Sequence, residues 1–129
     1  MSTVESIRLF LHVIAASVWV GGQILLGALV PTLRSIDAEA PRKVARAFNR
    51  IAWPAFGLLV VTGIWNVMSI GIGDLPHPEI EIKFLLVIGS GVGAAIHARG
   101  WSKAALAIGG AASSICAVAA MYVGVLLAG

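Results

Sequence analysis

The stretch SIRLFLHVIAASVWVGGQILLGALV, Ser6 to Val30, decides the fold. It is dominated by apolar side chains over more than the ~20 residues that an α-helix needs to cross the hydrocarbon of a bilayer. Pro31 has no N–H to give to the helical ladder, and the chain turns polar at Thr32 and Arg34, so the first span is predicted to stop at Val30. The run exceeds the core of a signal peptide and has neither a strongly basic leader nor a small-residue cleavage site. A retained helix is therefore expected.

The rest of the chain repeats the pattern. Of 129 residues, 59% are hydrophobic and 12% charged, with a mean hydropathy of +0.96. A soluble domain this small buries only about 60 to 70% of the surface that its unfolded chain exposes, so lipid must serve as solvent for most of the protein. Three further apolar stretches follow, at residues 51–72, 80–98 and 104–128, after the first at 6–30. The reading is one all-α domain over residues 1–129, an integral-membrane four-helix bundle. Between spans 1 and 2, Val44, Phe48 and Ile51 recur at helical spacing, with Arg42, Lys43, Arg46 and Arg50 elsewhere around the turn. That pattern predicts a short interfacial basic helix, with Pro54 kinking the chain as it enters the second span. Gly89 with Gly93, Gly91 with Ala95, and Gly109 with Ser113 place small residues four apart, a spacing that lets helix backbones approach closely in lipid.

Positive charge sets the orientation. Arg34, Arg42, Lys43, Arg46, Arg50, Arg99 and Lys103 fall in the connections after spans 1 and 3, whereas the opposite side keeps Arg8 and Lys83. Both termini are then expected outside the cytoplasm, on the periplasmic side. The same bias explains the net charge of +3 without nucleic acid, which is excluded as a partner. The single Cys116 rules out a disulfide framework or a cysteine-based metal cluster within one chain.

Ionisable groups inside spans are expensive in lipid and mark function by default. Arg8, His12, Trp19 and Gln23 form a polar and aromatic stripe on span 1, Thr62, Asn66 and Ser69 another on span 2, and Lys83, Ser90 and His97 a third on span 3. His12 lies roughly 9 Å below the outer end of its span, at a depth shared with Asn66, Met68, His77, Lys83, Met121 and Tyr122. His97 stands roughly 21 Å inward of Lys83, too far to share an ion with His12. A polar interior, richest in the outward half, is expected. Plainer roles stand beside each assignment: a snorkelling Lys83 paired with Glu79, an interface anchor at His97, a solvated turn residue at His77, and packing for the methionines and Cys116.

RLFLHVIAASVWVGGQILLGALVPTLR resembles the first helix of the copper-resistance D (CopD) family. RAFNRIAWPAFGLLVVTGIWNVM and IKFLLVIGSGVGAAIHAR are similar to the segments that follow in it, and together the three cover most of the chain. The HemJ-type protoporphyrinogen oxidases share a His in the first helix and a Lys opening the third, which correspond to His12 and Lys83. Their Tyr-His pair near that Lys has no counterpart, since the next histidine is His97. The first resemblance implies copper handling in a bacterial inner membrane, and the second implies b-type haem.

The expectation is a haem b site centred on His12, with Trp19, Asn66 and Lys83 around it and Lys83 meeting a ligand carboxylate. Met68, Met121 or His77, or a neighbouring protomer of a homo-oligomer, would supply a sixth ligand, or the iron stays five-coordinate. The alternative is a Cu(I) pathway through His12, Met68, His77 and Met121, donors that suit a soft ion. A third reading is a non-catalytic subunit of a larger membrane complex. Whether the chain is an enzyme is left open.

Overall fold

Helix α1 (Thr3–Ile36) begins where Ser2 caps it. The Ser2 hydroxyl accepts from the Glu5 amide at 3.2 Å, and the Glu5 carboxylate accepts from the Ser2 amide at 2.6 Å, so two of the orphan donors of the first turn are satisfied reciprocally. Midway, Ser17–Gly21 form one widened π-helical turn. The helix then continues through Pro31 to Ile36, six residues beyond the expected stop. Pro31 withholds only its own N–H, and in an apolar medium the neighbouring backbone groups gain nothing by leaving the ladder, so one missing bond does not end the helix.

Helix α2 (Ala40–Ile70) starts with Pro41 in its first turn and ends at Gly71, whose φ of 92° few other residues adopt. The basic segment is not a separate interfacial helix. It forms the first turns of α2, continuous with the membrane-length portion, and Pro54 lies inside that helix. The missing Pro54 N–H leaves one carbonyl, that of Arg50, without its usual donor, and helical residues on both sides carry the ladder past it. A short 3₁₀ turn, Ile72–Asp74, leads to α3 (His77–Arg99), which closes on Gly100 in the left-handed region at φ 58°. Ser102 caps α4 (Lys103–Ala128) by accepting from the Ala105 amide at 3.0 Å.

This computed structural model describes residues 1–129 apart from the Ile72 side chain. The fold is all-α, and all four helices are long and apolar enough to cross a bilayer, as befits a multi-pass membrane protein. The helices fall into two compact units, Met1–Gly71 and Ile72–Gly129, each an antiparallel hairpin.

In the first unit the seam between α1 and α2 is filled by side chains. Ala15, Trp19, Val20, Ala52, Leu59 and Thr62 are buried. Trp19, 3% exposed and carried on the π turn, packs on Phe56 with ring centres 4.5 Å apart and on Trp53 at 5.3 Å. Gly22 lies directly against the Phe48 ring, which would have to shift to admit a Cβ there.

In the second unit the backbones themselves meet. A Cβ on Gly93 would lie 2.7 Å from the Ser113 amide nitrogen, and one on Gly109 2.7 Å from the His97 amide nitrogen. Ser90 donates to the Ser113 carbonyl at 2.9 Å across the same seam. The spacing of small residues in the sequence led to this contact.

Candidate functional site

The richest chemistry of the first unit lies on the facing stripes of α1 and α2. Arg8 and His12 stand one turn apart on α1, and Thr62, Asn66 and Ser69 share a face of α2 at steps of four and three. Because the hairpin is antiparallel, His12 meets Thr62 and Arg8 meets Ser69. Asn66 sits between these two crossings on α2.

His12 Nδ1 is 2.8 Å from Thr62 Oγ1. Thr62 Oγ1 is also 2.7 Å from the Leu58 carbonyl and 3.2 Å from the Leu59 carbonyl of its own helix. With the Thr62 proton on the Leu58 carbonyl, its oxygen accepts from His12, and the imidazole proton is then on Nδ1 and the ring lone pair on Nε2. A ring oriented through one nitrogen with the lone pair on the other is the arrangement of a histidine ligand. Gly63 on α2 faces the ring edge: a Cβ there would lie 3.5 Å from His12 Cε1, ordinary contact with no overlap.

One turn outward, Arg8 is 8% exposed. Its Nη1 donates to Ser69 Oγ at 2.6 Å, and its guanidinium carbon lies 5.9 Å from the centre of the Trp65 ring. Ser69 in turn donates to the Trp65 carbonyl at 2.8 Å, so its oxygen faces Arg8 as an acceptor. Arg8 Nε and Asn66 Oδ1 are both buried and have no hydrogen-bond partner among the described residues.

The expected site residues divide between the two units. His12, Trp19 and Asn66 come together along the seam of the first, as their stripes predict. Met68 also belongs to that unit, but it is six residues out of phase with Thr62 and 73% exposed, away from the seam. Lys83, His77 and Met121 belong to the second. The Lys83 ammonium lies over Gly124, where a Cβ would be 3.1 Å from Nζ, and among the described residues it makes no ion pair with Glu79 or any other carboxylate. His77 is exposed at the start of α3 and lies 3.9 Å from Glu81. Met121 is 42% exposed.

His97 donates from Nδ1 to the Leu106 carbonyl at 2.7 Å and covers Gly110, a staple between α3 and α4. No group of three or more His, Cys, Asp or Glu side chains converges among the described residues. The donor set is thus one oriented imidazole with buried amide and guanidinium groups beside it. A cofactor that brings its own equatorial ligands could take His12 as an axial donor.

Sequence reasoning placed Arg8 on the stripe without assigning it a role. It did not single out Trp65. The available signal was the match of two spacings, Arg8 to His12 at four and Trp65 to Ser69 at four, which only an antiparallel pairing of α1 with α2 makes meaningful.

No protein-family model matches the chain, and no solved structure matches it. An uncharacterised protein of Aquifex aeolicus (strain VF5) is 34% identical over 94 residues. The match takes in 67% of this chain and 66% of the Aquifex protein, so the chain spans just under two thirds of that relative's length.

Proposed function

We propose that the α1–α2 hairpin is a b-type haem site of a redox protein in a bacterial inner membrane, with His12 as the axial ligand. The observation that carries this reading is the 2.8 Å hydrogen bond between His12 Nδ1 and Thr62 Oγ1, which fixes the ring; with the Thr62 proton on the Leu58 carbonyl, Nε2 holds the lone pair. The resemblance of the first three helices to the copper-resistance D family, and of His12 and Lys83 to positions in the HemJ-type proteins, agrees with a metal-centred role. Bound haem would supply one-electron exchange. The chain's own part is to hold the imidazole in one tautomer, to keep water from it with the Trp19, Trp53 and Phe56 cluster further along the seam, and to offer polar contacts to the edge of the ring system.

An absorption spectrum tests this. Protein purified in detergent and supplied with haem b is expected to show a Soret band that is lost in His12→Ala. An unchanged band in that variant would remove His12 from the centre of the site. Stoichiometric copper in a colourless protein would instead favour Cu(I) handling. Co-purifying membrane proteins with neither cofactor would favour the small-subunit reading.

The placement of positive charge supports an orientation with both termini on the periplasmic side. A phosphatase that is active only in the periplasm, fused after Gly129, is expected to be active; an inactive fusion alongside a fluorescent cytoplasmic reporter at the same position would reverse the topology.

A further inference from the structure

We propose that Arg8 is the anion anchor of this same site, taking a carboxylate arm of the amphipathic ligand that His12 holds. The inference rests on the haem reading and deepens it, since it names the group that pairs with the propionate side of the ligand.

Arg8 is a cation with its polar surroundings half built. Its Nη1 is satisfied by Ser69 and its face lies near Trp65, yet Nε is buried and has no acceptor among the described residues. The Glu5 carboxylate, one turn back on α1, acts on Arg8 through its charge but is bonded to the Ser2 amide and makes no ion pair with it; the ion pairs among the described residues join Arg42 to Glu39 and His77 to Glu81, all exposed. A guanidinium removed from water without a hydrogen-bonded counter-charge is costly. Ser69 orients the group but brings no charge. What the geometry lacks is an oxyanion with two acceptors, which the guanidinium fork binds through paired N–H groups.

The position of Arg8 identifies the ligand class. It stands one turn from His12 on the same face of α1, roughly 6 Å along the helix axis. A ligand coordinated at His12 that carries a carboxylate at its rim reaches Arg8 within that distance. Asn66, between the two crossings on α2, has a buried Oδ1 without a donor, so the seam is unsatisfied on both sides of the place where such a rim would lie. A water held at that rim would supply the donor that Oδ1 lacks. Lys83, the cation expected for this role from the sequence, rests on Gly124 in the other unit.

The test compares haem b with its dimethyl ester, which keeps the iron and ring but has no carboxylate, by titrating each into the full chain in detergent and following the Soret band. Wild type is expected to bind the free acid about tenfold or more tightly than the ester, the range expected of a hydrogen-bonded charge pair. Arg8→Gln is expected to abolish that preference while leaving the Soret position, which reports His12, unchanged. Arg8→Lys, with its charge but no fork, is expected to fall between them. Should Arg8→Gln fail to elute as a folded species, Arg8→Lys and Ser69→Ala carry the test, since both leave a cation in place and only weaken its aim. Lys83→Gln is expected to keep the full preference.

Equal binding of acid and ester by wild type, or a preference that survives in Arg8→Gln, would overturn the anchor while the Soret band upheld His12. Loss of the preference in Lys83→Gln with retention in Arg8→Gln would move the anchor to Lys83. No Soret band with either compound would bring down both the haem reading and the anchor.

Discussion

The two hairpins solve the same problem by opposite means. In α3–α4 the helices touch backbone to backbone, with Gly93 and Gly109 facing each other's main chain and Ser90 bonded to a carbonyl across the seam. In α1–α2 the seam is held by long side chains: Arg8 to Ser69, His12 to Thr62, and Trp19 to Trp53 and Phe56. Lipid offers no hydrophobic incentive for helix pairing, so either close packing or polar bonds must supply it. Close packing leaves nothing over for a ligand. Polar bonds carried on long side chains leave buried donors and acceptors at their edges, and those of Arg8 and Asn66 are where a ligand would gain most.

The largest effect is expected where backbones meet. In Gly93→Ala the new methyl would lie 2.7 Å from the Ser113 amide nitrogen and 2.8 Å from the Gly109 carbonyl oxygen. Neither atom can swing aside, so α3 and α4 must separate, at a cost of about 1–3 kcal/mol typical of overpacking. Reversible unfolding in mixed micelles measures it. A loss below about 0.5 kcal/mol, the range of substitutions away from special features, would show that the second seam is not limited by backbone approach.

The next effect belongs to the first seam and separates its two kinds of bond. Thr62→Val keeps the shape but removes the acceptor of His12 Nδ1–H, and leaving that donor unsatisfied is expected to cost about 1–3 kcal/mol. It should also broaden or shift the Soret band, because the imidazole no longer has one fixed tautomer and orientation. In the second seam, Ser113→Ala loses a hydroxyl that lies 3.3 Å from Ser90, while Ser90 still donates to the Ser113 carbonyl at 2.9 Å. A smaller loss than in Thr62→Val is expected there, because the Ser90 bond across the seam survives. If Ser113→Ala proved as damaging as Thr62→Val, hydroxyl bonding would matter equally in both hairpins and the contrast would fail.

Much of this was legible in the chain because helical phase is a property of spacing alone. The stripes Arg8, His12, Trp19 and Thr62, Asn66, Ser69 do face each other, and Lys83, Ser90 and His97 all meet α4, at Gly124, Ser113 and Leu106. Helix ends were less legible. Pro31 reads as a stop, yet a proline removes one donor, and whether the helix goes on depends on what else the freed backbone could bond, which lipid decides. The π turn at Ser17–Gly21 had no signal of its own; it goes with the packing of Trp19 on Phe56 and Trp53, residues more than thirty positions away. Depth along a helix placed Lys83 level with His12, but depth carries no information about which neighbour a side chain rests on. That is why the sequence offers Lys83 for an anion, while the surroundings of Arg8 become visible only once the crossing of α1 and α2 is known.

The smallest expected effect sharpens the comparison most, because it makes in the first seam the same change as Gly93→Ala in the second. In Gly63→Ala the added methyl would find His12 Cε1 at 3.5 Å and nothing closer, ordinary van der Waals contact. Alanine also favours the helix by up to about 1 kcal/mol over glycine, so stability should hold or rise slightly. The methyl would rest against the ring edge between Nδ1 and Nε2. If a haem plane must approach Nε2 past Gly63, the variant should fold as well as wild type and yet bind haem more weakly. Unfolding and the Soret titration, run on one preparation, separate the two results. A Gly63→Ala protein as unstable as Gly93→Ala would mean that α1 and α2 are also packed to backbone contact, and a seam packed that closely has no room for the ligand.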